Sequence, residues 1–290
     1  MKRQDPRLGI VLMVLATLVF SLQDTISRYL SAGYNVMMVV MIRYWFFAAF
    51  VLFLAWRSGG GIAGMARTRR PFLQILRGLL LVAEICVTVS AFVWLGLVET
   101  HAIFATYPLM ILALAGPFLG ERLDRRGWLS VMLGLIGVLI ILRPGSGMFS
   151  FLSLVPLLAA LMFAIYSLLT RCVLRHDSTG TSLFWTGIAG AAGMTLAGTW
   201  FWQEMTAGDW GWMAALSASG VLGHWLLIRC YDLAEASTVQ PFANLQLVFA
   251  SLFGIVLFGD RLTANIAVGG GLVVFAGLLA LGRFRPGRTF

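Results

Sequence analysis

The sequence predicts an all-α membrane protein in which ten transmembrane helices form two inverted five-helix repeats. Of its 290 residues, 60% are hydrophobic and 11% are charged, and the mean hydropathy is +0.90. A soluble domain carries about 25% charged residues, so this chain has too few polar side chains to cover a surface in water. Apolar runs of roughly 20 residues, the length that spans a bilayer, recur along the chain, and one motif occurs twice.

The apolar runs define the predicted helices in order. They lie at 8–30, 36–56, 72–97, 101–119, 127–142, 151–173, 181–202, 211–230, 238–258 and 264–282. The first follows a basic start that is typical of a signal peptide, but no small-x-small cleavage site follows it, so we interpret it as a retained helix. Several later runs are short or contain polar residues, which favours positions inside the bundle. The longest connection, residues 57–71, is too short for a separate domain.

Basic residues lie mainly on one side of the predicted bundle. Counted along the ten helices, 16 of the 21 Lys and Arg residues fall on the side that holds both termini, and three fall on the other side. Because cytoplasmic loops carry the excess of basic residues, both termini are predicted to be cytoplasmic, in agreement with an even number of helices. The net charge of +9 is not concentrated on a soluble module, so we predict no nucleic-acid partner.

A motif near the end of predicted helix 4 recurs near the end of predicted helix 9. The segment FLGERL (118–123) is similar to LFGDRL (257–262), 139 positions later, and each precedes a Gly-rich helix and then Arg-Pro-Gly. Chance similarity between two Gly- and Leu-rich helices is the alternative. A true repeat divides the chain into units 1–145 and 146–290, and the odd number of helices in each would invert the second. Inverted repeats build transporters that bind substrate near the midplane, where the halves meet.

Ionisable residues within apolar runs are the first candidate site residues, because placing each one at the centre of a membrane helix costs on the order of 2.5–3.5 kcal/mol on insertion scales. They are Asp24, Arg43, Arg77 and Glu84. Arg77 and Glu84 share one helix face about 10 Å apart, so each is expected to need a partner on another helix or a wet cavity. The alternative is that these charges only pair with one another and hold the bundle together.

Further polar and aromatic residues complete the predicted cavity. Helix 1 carries a polar stripe on one face, formed by Thr17, Ser21, Asp24 and Arg28. The remaining candidates for the cavity are Tyr107, Tyr166, His224, Gln240 and Asn244. The aromatic rings could stack on a flat or cationic ligand, and core packing is the alternative for each.

The sequence offers little for catalysis. It has three histidines, no HExxH segment, no carboxylate cluster with metal-ligand spacing and no GxSxG elbow. We therefore predict that the protein is not an enzyme and has no cofactor or metal. Predicted helices 5 and 10 carry small residues four apart, which permit close packing. These helices are expected to buttress the bundle or to form a homodimer contact.

Taken together, these features resemble the drug/metabolite transporter superfamily and, within it, the EamA-type carriers. The segments that carry the resemblance are SLQDTISRYL, MIRYWFF, RRPFLQILRGLLL, YPLMILALAGPFLGERL and GVLIILRPG. They are most similar to the branch with bacterial S-adenosylmethionine and riboflavin carriers. The resemblance implies alternating access around a cavity lined by helices 1 to 4 and 6 to 9, with characteristic polar positions at Asp24, Arg43 and Arg77. Glu84 matches no signature of the family.

We therefore predict a multi-pass secondary transporter in a bacterial inner membrane. Its substrate is expected to be a small, charged or zwitterionic, ring-bearing metabolite, because charges of both signs could receive its two ends. Glu84 and Asp24 are the candidates for proton coupling, since removal from water favours the protonated form of a carboxylate. The alternatives are a broad-specificity drug or metabolite exporter and a non-transporting membrane subunit.

Overall fold

The computed structural model describes residues 5–119, 125–142 and 151–281, which fold into helices joined by short connections. The α-helices are Pro6–Gly33 (α1), Val36–Arg57 (α2), Gly61–Ala66 (α3), Pro71–Phe104 (α4), Tyr107–Leu119 (α5), Arg125–Leu142 (α6), Leu154–Val173 (α7), Thr179–Gly198 (α8), Ala207–Leu233 (α9), Ala236–Ala243 (α10), Leu245–Phe258 (α11) and Ala264–Leu281 (α12). Short 3-10 turns lie at Phe151–Ser153 and Thr199–Phe201.

Several of these helices are long and apolar enough to cross a membrane. Within the described residues there are five such spans, at Pro6–Gly33, Val36–Arg57, Pro71–Gly116, Phe151–Val173 and Ala207–Leu233. Large hydrophobic side chains such as Leu15, Phe50 and Trp94 are exposed on the outside of the bundle, where lipid would cover them. The predicted all-α membrane class is confirmed at this level.

The chain reverses direction at Gly96, inside α4. Gly96 has φ 82° and ψ 172°, a backbone conformation open essentially to glycine alone. Thr100 Oγ1 donates a hydrogen bond to the carbonyl oxygen of Ala91 at 3.1 Å, although residues nine apart on a straight helix are separated by about 13.5 Å. The segment Leu97–Phe104 therefore folds back on the preceding part of α4. The predicted connection between helices 3 and 4 lies slightly later, at 98–100.

Two of the predicted helices are interrupted. Predicted helix 4 consists of Leu97–Phe104 and α5, with a turn at Ala105 and Thr106 between them. Predicted helix 9 begins at Ala236 rather than 238 and divides into α10 and α11 at Asn244. Apolar periodicity runs through both breaks, so it gives no signal for them.

Contacts between elements distant in the sequence define two ends of the bundle. At one end Arg28 binds Asp260, and Tyr34 donates a hydrogen bond to Asp209; we call this the Arg28 end. At the other end Thr68 donates a hydrogen bond to Asp177, and the backbone N–H of Asp5 donates to the carbonyl of Leu233 at 3.0 Å; we call this the Asp177 end.

Helices α6 and α12 pack against each other. A Cβ atom at Gly137 would lie 2.7 Å from the carbonyl oxygen of Gly269, and one at Gly269 would lie 2.5 Å from that of Gly137. The missing side chains let the two backbones approach closely. Ser130 adds a hydrogen bond to the carbonyl of Ala276, so part of the small-residue surface is used within the chain.

Candidate functional site

A small cavity lies at the centre of the bundle, between α1, α2, α4, α7, α9 and α11. It has about 420 Å³ of space between its wall atoms, and the centre of a water molecule can reach about 40 Å³ of it. The lining residues are Phe20, Gln23, Asp24, Arg43, Glu84, Ile85, Thr88, Val89, Phe104, Phe163, His224 and Gln246. One water needs roughly 10–15 Å³ of such reachable volume, so the cavity has room for only a few waters in this conformation.

Asp24 reaches the cavity from the polar face of α1. One of its oxygens, Oδ2, accepts a hydrogen bond from Gln246 Nε2 on α11 at 3.1 Å. Ser21, one turn earlier, donates to the backbone carbonyl of Gln246 at 3.2 Å, and Arg28, one turn later, binds Asp260. The stripe predicted on helix 1 therefore faces the C-terminal half of the chain.

Glu84 also lines the cavity, and its side chain is 3% exposed. Thr88, one turn further along α4, donates a hydrogen bond of 2.6 Å to Glu84 Oε1. Among the described residues, Thr88 is the hydrogen-bond donor to this carboxylate, and Thr88 itself lines the cavity. Most of the carboxylate's capacity to accept hydrogen bonds therefore remains directed at the cavity.

Arg43 brings a guanidinium to the same space from α2. Its Nη2 lies 3.4 Å from His224 Nε2 on α9, and its Nε has no hydrogen-bond partner among the described residues. A Cβ atom at Gly220 would lie 2.8 Å from this Nε, so the glycine makes room for the guanidinium against α9. His224 is held from its other faces by Phe20 and Phe47, at ring-centroid distances of 5.2 and 6.1 Å.

Two important residues of this region were missed from the sequence. His101 Nε2 lies 3.2 Å from Asp24 Oδ2, close to the carboxylate but without the geometry of a hydrogen bond. The ring stacks on Phe92 at 5.2 Å and is 1% exposed. Gln246 is the second missed residue. The sequence could have indicated His101 as a site residue, because it is a titratable side chain at the start of an apolar run. A lone glutamine such as Gln246 gives little indication of a site.

Arg77, which was predicted to line the cavity, is instead enclosed between α4, α7 and α8. It is fully buried and donates hydrogen bonds to neutral acceptors, which are Gln74 Oε1, Tyr166 OH, Thr170 Oγ1, Thr186 Oγ1 and the backbone carbonyl of Ser182. Its guanidinium also lies 5.3 Å from the centre of the Tyr166 ring. The spacing of Arg77 and Glu84 predicted that each needs a partner on another helix or a wet cavity. For Arg77, such partners are present on α7 and α8.

This cluster continues to the Asp177 end. Gln74 Nε2 donates a hydrogen bond of 2.8 Å to Asp177 Oδ2, and Thr68 and the backbone N–H of Arg69 donate to the same carboxylate. Burial raises the pKa of the Asp177 carboxyl, but these hydrogen bonds outweigh that effect and hold its pKa below the ordinary value. The connection between α7 and α8 is thereby fastened to the start of α4.

Three further predicted residues, Tyr107, Tyr166 and Asn244, are absent from the cavity lining. Tyr107 is buried behind Phe104 and Phe163, at ring-centroid distances of 5.0 and 4.8 Å. Tyr166 meets His224 edge-on at 6.4 Å. Asn244 is 2% exposed at the break between α10 and α11, and both polar atoms of its side chain have no hydrogen-bond partner among the described residues. Gln240 belongs to α10, but its side chain lies outside the described part of the structure.

The cavity thus brings together charges of both signs from different helices. Asp24 and Glu84 provide two carboxylates and Arg43 provides a guanidinium, while Phe20, Phe104 and Phe163 supply aromatic surface. Such a site can bind a small molecule that carries both a cationic and an anionic group, and it can receive a ring.

Comparisons with known proteins match nearly the whole chain. The model of the EamA-like transporter family matches it twice, at residues 7–143 and 150–282. A riboflavin transporter of Vibrio cholerae is 27% identical and covers 94% of this chain and 93% of its own length. An S-adenosylmethionine uptake transporter of Rickettsia bellii is 27% identical and covers 87% and 86%.

A solved crystal structure of a protein supports the same fold. It is 19% identical, has a TM-score of 0.68 and covers 96% of this chain and 97% of its own. The family and the named relatives are described as transporters and not as enzymes. The predicted resemblance is confirmed: the chain belongs to the EamA-like transporter family.

Proposed function

We propose that this protein is a secondary transporter that moves a small, charged or zwitterionic, ring-bearing metabolite across a bacterial inner membrane by alternating access. The observation that carries the proposal is the small central cavity of a transporter-family chain, in which Asp24 and Glu84 face the same space as Arg43. Buried charges are costly in a membrane protein, and they mark substrate or ion pathways in transporters.

The composition of the cavity supports this class of substrate. Asp24, Glu84 and Arg43 offer opposite charges to the two ends of a zwitterion, and Phe20 and Phe104 offer faces to a ring. The named relatives are transporters of riboflavin and of S-adenosylmethionine. Both compounds contain a flat ring system, and the second also carries charges of both signs.

The proposal includes two inverted five-helix repeats, residues 1–145 and 146–290, which rock about the cavity. The double match to one family model supports this division. So does the chain path: the offset of 139 residues maps Leu97–Phe104 onto Ala236–Ala243, the range of α10. These two segments begin at opposite ends of the bundle, as inversion requires, and interrupted helices of this kind form the sites of such transporters.

Both termini are proposed to face the cytoplasm, on the Asp177 end. The described basic residues near that end support this orientation, and they include Arg7, Arg57, Arg67, Arg69, Arg70, Arg171, Arg175 and Arg229. At the Arg28 end the described basic residues are Arg28 and Arg261.

A homodimer through α6 and α12 remains part of the proposal. Ala267 and Gly271 of α12 are exposed, and no atom would lie within 4 Å of a Cβ at Gly271. This face of α12 is therefore available to a second copy. Cross-linking of an Ala267→Cys variant in membranes would form a covalent dimer if the proposal holds.

Counterflow with purified protein tests the function. Proteoliposomes loaded with unlabelled S-adenosylmethionine or riboflavin would accumulate the labelled compound transiently, and Arg43→Gln would abolish the exchange. Arg57→Gln, an exposed arginine on the same helix, serves as the matched control. Exchange of many unrelated compounds would favour a broad-specificity exporter, and no exchange of any ring-bearing metabolite would favour a non-transporting subunit.

A further inference from the structure

Asp260, in the second copy of the repeated motif, accepts hydrogen bonds from Arg28 and from the backbone of α4. Both of its oxygens accept hydrogen bonds from Arg28 Nη1, at 2.8 and 2.7 Å. Its Oδ2 also accepts from the backbone N–H groups of Leu97 and Val98, at 2.9 and 3.2 Å. One carboxylate thus joins α1, the chain after α11 and the start of the Leu97–Phe104 segment through charge-assisted bonds, which are stronger than neutral ones.

The local sequence is built to place this carboxylate. Gly259 ends α11 with φ 67°, and its left-handed conformation turns the chain so that the N–H of Asp260 bonds back to the carbonyl of Gly254 at 3.1 Å. A Cβ atom at Gly254 would lie 2.8 Å from Asp260 Oδ2, and one at Gly96 would lie 3.1 Å from it. Glycine at both positions leaves the space that the carboxylate fills.

The same segment also reaches the cavity. His101, one turn after the Asp260-bound amides, contacts Asp24 at 3.2 Å. Phe104, at the end of the segment, lines the cavity directly. The turns at Gly96 and at Ala105–Thr106 bound the segment, and such breaks are where a helix can swing as a unit.

We propose that Leu97–Phe104 is a gate at the Arg28 end, which Asp260 holds closed and which the contact between His101 and Asp24 couples to the cavity. The inference rests on the proposed transport function. Opening at this end requires α1, α11 and the segment to separate, and Asp260 is the side chain that joins all three. A cationic group that binds Asp24 competes with His101 for the carboxylate and so releases the inner side of the gate.

Cysteine labelling of purified protein in nanodiscs tests the gate without any cargo. The three native cysteines are replaced by serine, and Val89→Cys, in the cavity wall, reports entry of a membrane-impermeant maleimide. We expect Asp260→Asn to speed labelling about tenfold, as for the loss of one charge-assisted hydrogen bond. We expect His101→Gln to speed it as well, and the double variant to show less than the product of the two effects, because both act on one element.

Asp209→Asn is the matched control, because Asp209 lies at the same end and binds Tyr34 and Thr206 without touching the segment. If Asp260→Asn fails to fold, as judged by gel filtration and melting temperature, Arg28→Gln removes the same ion pair. Unchanged labelling in Asp260→Asn or Arg28→Gln would overturn the gate, and unchanged labelling in His101→Gln would overturn its coupling to the cavity. If none of the tested compounds is exchanged in counterflow, the transport function is contradicted instead. The cysteine-labelling rates, which are measured without any cargo, do not depend on that result.

Discussion

The buried charges of this chain differ in what they bind. Arg77 donates to five neutral acceptors on α4, α7 and α8, and these satisfy the guanidinium. Arg43 keeps an unpartnered Nε among the described residues, and Glu84 has one hydrogen bond, from Thr88. An incompletely bonded charge in a cavity is ready to accept a ligand or a proton, whereas a saturated one holds helices together.

Glu84 is expected to carry the pH dependence of transport. Glu84→Gln keeps the size of the side chain and its bond to Thr88 but cannot take up a proton, so uptake into proteoliposomes should become independent of pH. Glu204→Gln is the control, because Glu204 is exposed in the connection before α9 and lies outside both the cavity and the Leu97–Phe104 segment. Uptake by Glu84→Gln that still follows pH would remove Glu84 from the coupling step.

Arg77 is expected to determine stability. Arg77→Met leaves buried acceptors such as Gln74 Oε1 and the carbonyl of Ser182 without their donor, at about 1–3 kcal/mol for each unsatisfied group. The melting temperature in detergent should fall strongly. Arg57→Met, an exposed arginine at the Asp177 end, should have little effect, and equal melting temperatures for the two variants would contradict this structural role.

At the scale of elements, glycines allow the sharp reversals and close contacts that shape the cavity. Gly96 permits the reversal in α4, Gly220 makes room for Arg43, and Gly223 makes room for Phe20, whose ring would lie 2.6 Å from an added Cβ. The helices can therefore approach one another around the charged residues. The closeness of these contacts explains why the central space is small in this conformation.

Gly96→Ala tests the reversal. The backbone at Gly96 lies in a region that costs other residues on the order of 1–3 kcal/mol, and the added methyl group would also press against Asp260. We expect a lower melting temperature. Gly33→Ala is the control, because the space around Gly33 is open. Equal stability of the two variants would show that the backbone at position 96 can relax.

At the scale of the whole molecule, the two ends of the bundle differ in charge and in what closes them. The Asp177 end carries most of the described arginines and is fastened by the cluster of Arg77, Gln74 and Asp177. The Arg28 end is fastened by the ion pair of Arg28 and Asp260. Separate polar contacts at the two ends are what alternating access needs, because each end must open while the other stays shut.

Reporter fusions test the topology of the whole chain. Green fluorescent protein fused after residue 290 should fluoresce, since the C-terminus is expected in the cytoplasm. Alkaline phosphatase should be active when fused after residue 145, because five helices precede it, and inactive after residue 178. The reverse pattern at residue 145 would contradict two inverted halves.

The sequence was informative about properties that depend on neighbouring residues or on overall composition. Apolar runs of bilayer length, few charges and the asymmetry of arginines predicted the membrane class and most helices within a few residues. The cost of burying a charge identified Asp24, Arg43 and Glu84, which all line the cavity. The breaks at Thr106 and Asn244 were not predicted, because each lies within a run that has the length of a single spanning helix.

By itself, then, the sequence determined that this chain is a helical membrane protein of a transporter family with charges inside it. Only the tertiary structure decided which charges meet. Asp24 contacts Gln246 across 222 positions, and Arg77 bonds to side chains about 100 positions away. Helix periodicity fixes the face on which a side chain lies, but its partner depends on how distant helices pack, and no local pattern records that packing.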